Sequence, residues 1–199
     1  MTAVLWTLAG FVAGSLPFSP WVGRLALHTD IRGYGDGNPG AANVMRAGGW
    51  AWGAAALLLD YLKGATPVGL AHYYAGLNDW RLIPIALAPV LGHAFSPFLH
   101  FRGGKAVTVT FGVWTGLTLW VGPTLLGVLL GFWSVWMAGD GWAVMVTMLS
   151  FLLCLLLAGS GPTLWAVWAG NAIVLAWKHR ADLARWPGVR PWVKRSFPR

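Results

Sequence analysis

Residues 106–139 read AVTVTFGVWTGLTLWVGPTLLGVLLGFWSVWMAG, a run without a charged side chain. A helix needs about 20 apolar residues to cross a hydrocarbon core about 30 Å thick, so the run is too long for one crossing. Gly122-Pro123 offers a break, because proline cannot continue the helical hydrogen-bond ladder. Four more apolar stretches flank it, at about 3–27, 50–76, 82–101 and 141–177. The last is again too long, and Gly159-Ser160-Gly161-Pro162 offers its break. Two splits give seven crossings, and the charges test that count.

Arg24, the segment 28–49 with Arg32 and Arg46, the segment 99–105 with Arg102 and Lys105, and the seven cations from Lys178 to Arg199 all fall on one face if there are seven crossings. Arg81 is then alone opposite, the asymmetry that the positive-inside rule describes. If 106–139 crossed once, the tail and the 99–105 loop would face opposite sides. The reading is therefore an all-α fold, a polytopic membrane helix bundle of seven transmembrane helices with the C-terminus in the cytoplasm. Arg24 follows the first stretch rather than preceding it, so 3–27 is expected as a membrane helix and not a secretory leader. Residues 1–199 form a single integral-membrane domain, with 183–199 a basic, aromatic cytoplasmic tail facing anionic lipid.

Composition agrees. The chain is 57% hydrophobic and only 10% charged, against about 25% charged for soluble domains, which excludes a soluble globular enzyme. The +8 balance reads as membrane topology, and no nucleic-acid partner is expected. Several of the 15 tryptophans, among them Trp50, Trp80 and Trp177, lie at helix ends as an interfacial belt. Cys154 is alone, and the histidines show no ligand spacing, so neither a metal nor another cofactor is expected.

The residues that carry chemistry sit in loops on the basic face. Arg32-Gly33-Tyr34-Gly35-Asp36-Gly37-Asn38-Pro39-Gly40-Ala41-Ala42-Asn43 is followed by Arg46. A glycine-rich turn with free amides near a helix start, and an arginine one turn on, makes an anion site. Arg102-Gly103-Gly104-Lys105, just before an apolar helix, is a smaller cradle without the Walker A spacing. Asp60 and Lys63, three apart within a span, share one helix face, as a structural pair or a substrate contact. His93 reads as structural, and Lys178-His179-Arg180-Ala181-Asp182 closes the last span. No G-x-S-x-G elbow, H-x-x-x-x-D pair or carboxylate cluster is present, so chemistry here leans on anion binding and positioning.

The order GSLPF (14–18), DIRGYGDGNPGAANVMR (30–46), LLLDYLKG (57–64), LGH (91–93), FRGGK (101–105) and KHRAD (178–182) resembles the PlsY family over nearly the whole chain. These are bacterial integral-membrane glycerol-3-phosphate acyltransferases with seven spanning helices and a cytoplasm-facing site in the cell (inner) membrane. The resemblance implies acyl transfer from acyl phosphate to the 1-hydroxyl of sn-glycerol 3-phosphate, giving lysophosphatidic acid and phosphate. It implies no acyl-CoA or acyl carrier protein donor, and a mechanism for which neither a protein nucleophile nor a general base is required. Glycerol 3-phosphate, acyl phosphate and membrane lipids are the implied partners, and a monomer is expected.

Carried over, Arg46 and Lys105 match the family's phosphate-binding cations, Asn38 and Asn43 its first-loop asparagines, and Gly103 and Gly104 its glycine turn. His179 matches a histidine that contacts the glycerol phosphate. Arg102 and Arg180 complete the candidate substrate-binding set, and Asp36, Lys105 and His179 are the candidate catalytic residues. Asp36 stands where the family has a serine, as a possible general base. Ala42 replaces a threonine, Ala106 a glycine and Asp182 an asparagine, and 138–144 lacks the family's third-loop serine. The competing expectation is a non-catalytic membrane protein of the same ancestry that binds a phosphorylated lipid or metabolite.

Overall fold

The computed structural model describes residues 2–192, so Lys194 and Arg195 of the expected tail lie outside the described residues. Among these residues the regular structure is helical: α1 (Thr2–Ser15), α2 (Phe18–Ala26), α3 (Ala41–Gly48), α4 (Trp50–Gly69), α5 (Leu82–Ala94), α6 (Val107–Thr118), α7 (Val121–Trp136), α8 (Asp140–Leu157), α9 (Pro162–Lys178) and α10 (Arg180–Leu183). One wide turn, Leu70–Tyr74, prolongs α4 past Pro67. Among the described residues three helical stretches are long and apolar enough to cross a membrane, Thr2–Ala26, Leu82–Leu99 and Asp140–Leu157, and α6 and α7 are shorter apolar helices.

Packing follows small residues. Helix α1 lies on α5, and α4 on α6. A Cβ at Gly112 would overlap the Tyr61 carbonyl, and one at Gly14 would overlap the backbone of Pro89, so the backbones touch where side chains are absent. Trp114 and Phe151 meet edge-to-face at 4.6 Å in the core between α6 and α8. Large apolar side chains such as Leu8, Leu58, Val128 and Leu153 remain outside, more than half exposed. On a water-facing surface that much apolar area would be a liability, and against lipid it is the ordinary state.

Two boundaries differ from the sequence reading. The first stretch, expected as one helix over 3–27, breaks at Leu16-Pro17 because proline lacks an N–H and disfavours helix before it. The expected break at Gly122-Pro123 falls earlier, at Leu119-Trp120, where Leu119 adopts φ +52°. Gly122 and Pro123 instead occupy the first turn of α7, where a missing N–H costs nothing. The Gly122 amide donates to Thr118 Oγ1 at 3.0 Å, which stitches α6 to α7. The break at Gly159–Gly161 lies where expected, with Pro162 opening α9.

A buried ion pair fastens the break in the first span. Lys63 Nζ lies 2.6 Å from Asp60 Oδ1, with both side chains almost wholly buried. Lys63 also donates to the Leu16 carbonyl at 2.8 Å, which the Phe18 amide reaches as well at 3.0 Å. Ser19 donates to Asp60 Oδ2 at 2.6 Å, and Ser96 donates to the Ser15 carbonyl at 2.6 Å. The Asp60 carboxylate and the Ser15 carbonyl thereby gain donors that apolar surroundings do not supply.

Two stability changes follow. Lys63→Met takes the buried cation from Asp60, with Ser19 still bonded to it, and should cost about 3–5 kcal/mol in detergent unfolding, with the paired Asp60→Leu/Lys63→Leu change costing less. Ala106 holds φ +65° where the resemblance places glycine. Ala106→Gly should therefore raise stability by up to about 1 kcal/mol, read as a higher unfolding midpoint.

Candidate active site

Residues Gly35 to Asn43 fold into a loop that hydrogen-bonds to itself. Asp36 Oδ1 accepts from the Asn38 amide and from Asn43 Nδ2, both at 3.2 Å. Asn43 Nδ2 also donates to the Asn38 carbonyl at 2.9 Å, and Arg46 Nη1 donates to Asn43 Oδ1 at 2.5 Å. Asn43 is buried, so its amide serves the loop. Gly35, at φ +56°, packs against Arg46 and Asn43 where a Cβ would collide. Gly40 caps the start of α3 in extended backbone.

The second loop is pinned from below. The Gly104 amide donates to the His93 carbonyl at 3.1 Å, and a Cβ on Gly104 would strike the His93 ring. Lys178 donates to the carbonyls of Ala94 (2.9 Å) and Gly103 (2.8 Å). The glycine pair thus lets the chain lie on His93, and Lys105 follows at a fixed height. Gly103 lines the outer cavity described below, whereas Gly104 faces His93 and Ser96 in the interior.

Two cavities meet at Lys105. The inner one, about 200 Å³, is lined by Arg46, Lys105, His179, Asp140, and the first residues of α3 (Ala41, Ala42) and α6 (Val107, Thr108). The outer one, about 430 Å³, is lined by Arg102, Lys178, Arg180, Phe101 and Trp177. Asp36, Asn38 and Lys105 line both. Arg180 stacks on Trp177 at 5.0 Å and donates to its carbonyl at 2.9 Å. Two helix starts, each with amides that lack an intrahelical acceptor, thus face the cavity that also holds Arg46 and Lys105. Positive charge reaches this cavity twice, from helix dipoles and from cations, and the carboxylates of Asp36, Asp60 and Asp140 line it as well.

Lys105 Nζ lies 3.0 Å from Asp36 Oδ2 and 3.0 Å from Asp182 Oδ2. Burial alone would raise the Asp36 carboxyl, but hydrogen bonds from Lys105, the Asn38 amide and Asn43 outweigh it and hold it below 3.8. Burial alone would lower Lys105, and its bonds to the two carboxylates reverse that and raise it above 10.5. His179 is lowered below 6.5, chiefly by burial, with the Leu175 carbonyl opposing. Its Nδ1 is 2.8 Å from that carbonyl, which makes Nδ1 the protonated nitrogen and leaves Nε2 as an acceptor.

Of the ten sequence candidates, Asp36, Asn38, Arg46, Lys105 and His179 come together around the inner cavity. Arg102, Gly103 and Arg180 gather at the outer one, and Asn43 and Gly104 support the walls. Sequence reasoning passed over Asp182 as a partner of Lys105, Asp140, and Thr108, whose place on the inner wall offers a hydroxyl. The alternating Val-Thr-Val-Thr after Lys105 was the available signal for Thr108. Asp60 and His93, far along the chain, reach the floor of the same cavity. Among the described residues no group of three or more His, Cys, Asp or Glu is placed to hold a metal ion.

Known proteins resemble this chain in sequence and in fold. A family model described as glycerol-3-phosphate acyltransferase matches residues 4–187. A glycerol-3-phosphate acyltransferase of Rubrobacter xylanophilus is 42% identical, over 92% of this chain and 90% of that protein. Glycerol-3-phosphate acyltransferase 1 of Thermotoga maritima is 35% identical, over 88% and 93% respectively. Two crystal structures of PlsY (YgiH), an integral membrane glycerol 3-phosphate acyltransferase, share the fold. The glycerol 3-phosphate form has a TM-score of 0.85 and 26% identity, covering 99% of this chain and 100% of that one. The lysophosphatidic acid form has a TM-score of 0.83 and 28% identity, covering 93% and 91%.

The lowered Asp36 has a definite sign. Its contribution is complete above the unfolded value of 3.8 and is lost as pH falls through the lower folded value. The unfolding midpoint should drop on acidification below about pH 4, and less steeply in Asp36→Asn than in the wild type.

Proposed function

The chain belongs to the glycerol-3-phosphate acyltransferase family, and on that premise we propose that it moves a fatty acyl group from acyl phosphate to the 1-hydroxyl of sn-glycerol 3-phosphate. The products are lysophosphatidic acid and inorganic phosphate. The observation that carries this is the pair of cavities meeting at one lysine, one of them facing two helix starts. Two phosphorylated substrates and a shared reacting centre need such a layout, and a single-anion binder does not.

In this reading the phosphates lie against Arg46, Lys105 and the free amides of α3 and α6. Arginine grips two oxygens at once, and lysine follows the charge as a mobile point. The glycerol hydroxyl oxygen attacks the acyl carbonyl carbon, the bond from that carbon to the phosphate oxygen breaks, and the hydroxyl proton leaves with the phosphate. Neutral His179 accepts the hydroxyl hydrogen bond at Nε2 and orients the attack. Asp36, held low by its hydrogen bonds, is a poor base, so we assign it to holding Lys105 and Asn43. Proximity and electrostatic stabilisation supply the rate. No cofactor enters the scheme.

We also assign seven crossings: α1 with α2, α4 with its wide turn, then α5, α6, α7, α8 and α9. The positive-inside asymmetry sets the cation-rich end, and the site with it, in the cytoplasm of a bacterial cell and the protein in its inner membrane. The chain acts as a monomer, since both cavities are built from one copy. The two acids on Lys105 favour one competing reading, a membrane protein that binds a phosphorylated lipid or metabolite without turnover.

Purified protein in detergent or lipid, given acyl phosphate and glycerol 3-phosphate, should release phosphate and lysophosphatidic acid. Arg46→Ala and Lys105→Ala should each lower kcat/KM by about a hundredfold or more. No turnover at saturating substrates overturns the catalytic reading and leaves the binder.

A further inference from the structure

Two of the positions at which this chain departs from the pattern it resembles are Asp36 and Asp182, 146 residues apart in sequence by their numbers. The structure brings both to one atom. Asp36 reaches Lys105 Nζ from the loop before α3, and Asp182 reaches it from α10, each at 3.0 Å. Gly141 at the start of α8 lies against the Cβ atoms of Asp182 and His179, so α10 is held tightly over the cavity.

The consequence is electrostatic. An ammonium has three N–H donors, and two of them are already spent on carboxylates. A phosphate arriving at Lys105 finds one donor free, a charge that is more than neutralised by its two partners, and Asp140 on the same wall. A serine and an asparagine at the two positions would instead be neutral. The acids therefore work against phosphate retention at the residue that binds it, while keeping Lys105 at the junction of the two cavities.

We propose that Asp36 and Asp182 are a matched pair of positioning residues that weaken the hold of Lys105 on phosphate, so that inorganic phosphate leaves the junction after each acyl transfer. This rests on the catalytic reading for its role in turnover, but the effect on phosphate affinity does not. It also accounts for two replacements at once, since both acids reach the same ammonium, Asp36 from the loop before α3 and Asp182 from α10.

The test uses Asp36→Asn, Asp182→Asn and the double variant of the full-length protein, with inorganic phosphate as the probe. One readout is product inhibition by phosphate. The other needs no turnover: phosphate protection of Lys105 against an amine-reactive reagent, followed on the Lys105 peptide by mass spectrometry. Each Asn variant should bind phosphate about tenfold more tightly, as expected on removing a like charge a few ångströms away at a half-exposed site. The double variant should bind more tightly than either, and Asp36→Glu should keep the wild-type affinity. KM for glycerol 3-phosphate should fall with the inhibition constant, while kcat falls as phosphate release slows. Unchanged or weaker phosphate protection in the Asn variants overturns the proposal. Absent turnover with tighter protection retains the attenuation and removes only the catalytic reading.

Discussion

The Lys63–Asp60 pair is the constraint on which the rest depends. An apolar slab offers no water to a stranded carbonyl, so a span broken by Pro17 holds only if something buried answers its free groups. Lys63 answers Leu16, Asp60 takes Ser19, and Ser96 takes Ser15. These contacts tie α1 and α2 to α4 and to the end of α5. A charge pair so placed is costly unless both partners are satisfied, which is why these side chains are also bound to their neighbours.

From that anchor the site is built in short steps. His93, on α5, approaches Asp60 at 3.9 Å and carries Gly104 on its carbonyl. Gly103 hangs from Lys178 at the end of α9. Lys105 follows, at the start of α6, level with the loop that Asn43 and Arg46 brace. The chemistry is thus set by backbone that two glycines allow to lie close, and by helix starts aimed at one space. Asp36, Asp60, Asp140 and Asp182 gather here beside the cations, and the work assigned to the protein is holding charge in place.

Much of this was legible in the sequence, for physical reasons. Apolar length and charge asymmetry gave the helical membrane fold, since hydrocarbon tolerates little else. Gly159–Gly161 with Pro162 marked a real helix boundary, because glycine and proline there had no competing role. Pro123 misplaced another boundary, because a proline in a helix's first turn looks the same in sequence as one that ends a helix. The break at Leu16-Pro17 was missed since apolar residues run on through it, and the contacts that hold it, from Lys63 and Ser96, come from 47 and 81 residues away. Arg46, Lys105 and His179 stood out in the sequence because ionisable groups in so apolar a chain are rare, and the structure gathers them around one cavity. Their meeting with Asp182 was not legible, because a lysine's partners are fixed by tertiary approach and leave no local spacing to read.

The most direct measurement is a structure of the protein with glycerol 3-phosphate bound. The account predicts phosphate oxygens in the inner cavity, between the starts of α3 and α6, in contact with Arg46 and Lys105. It predicts that Lys105 then gives up at least one of its carboxylate contacts. Phosphate seated away from Lys105, with the bridges to Asp36 and Asp182 both intact, would contradict it.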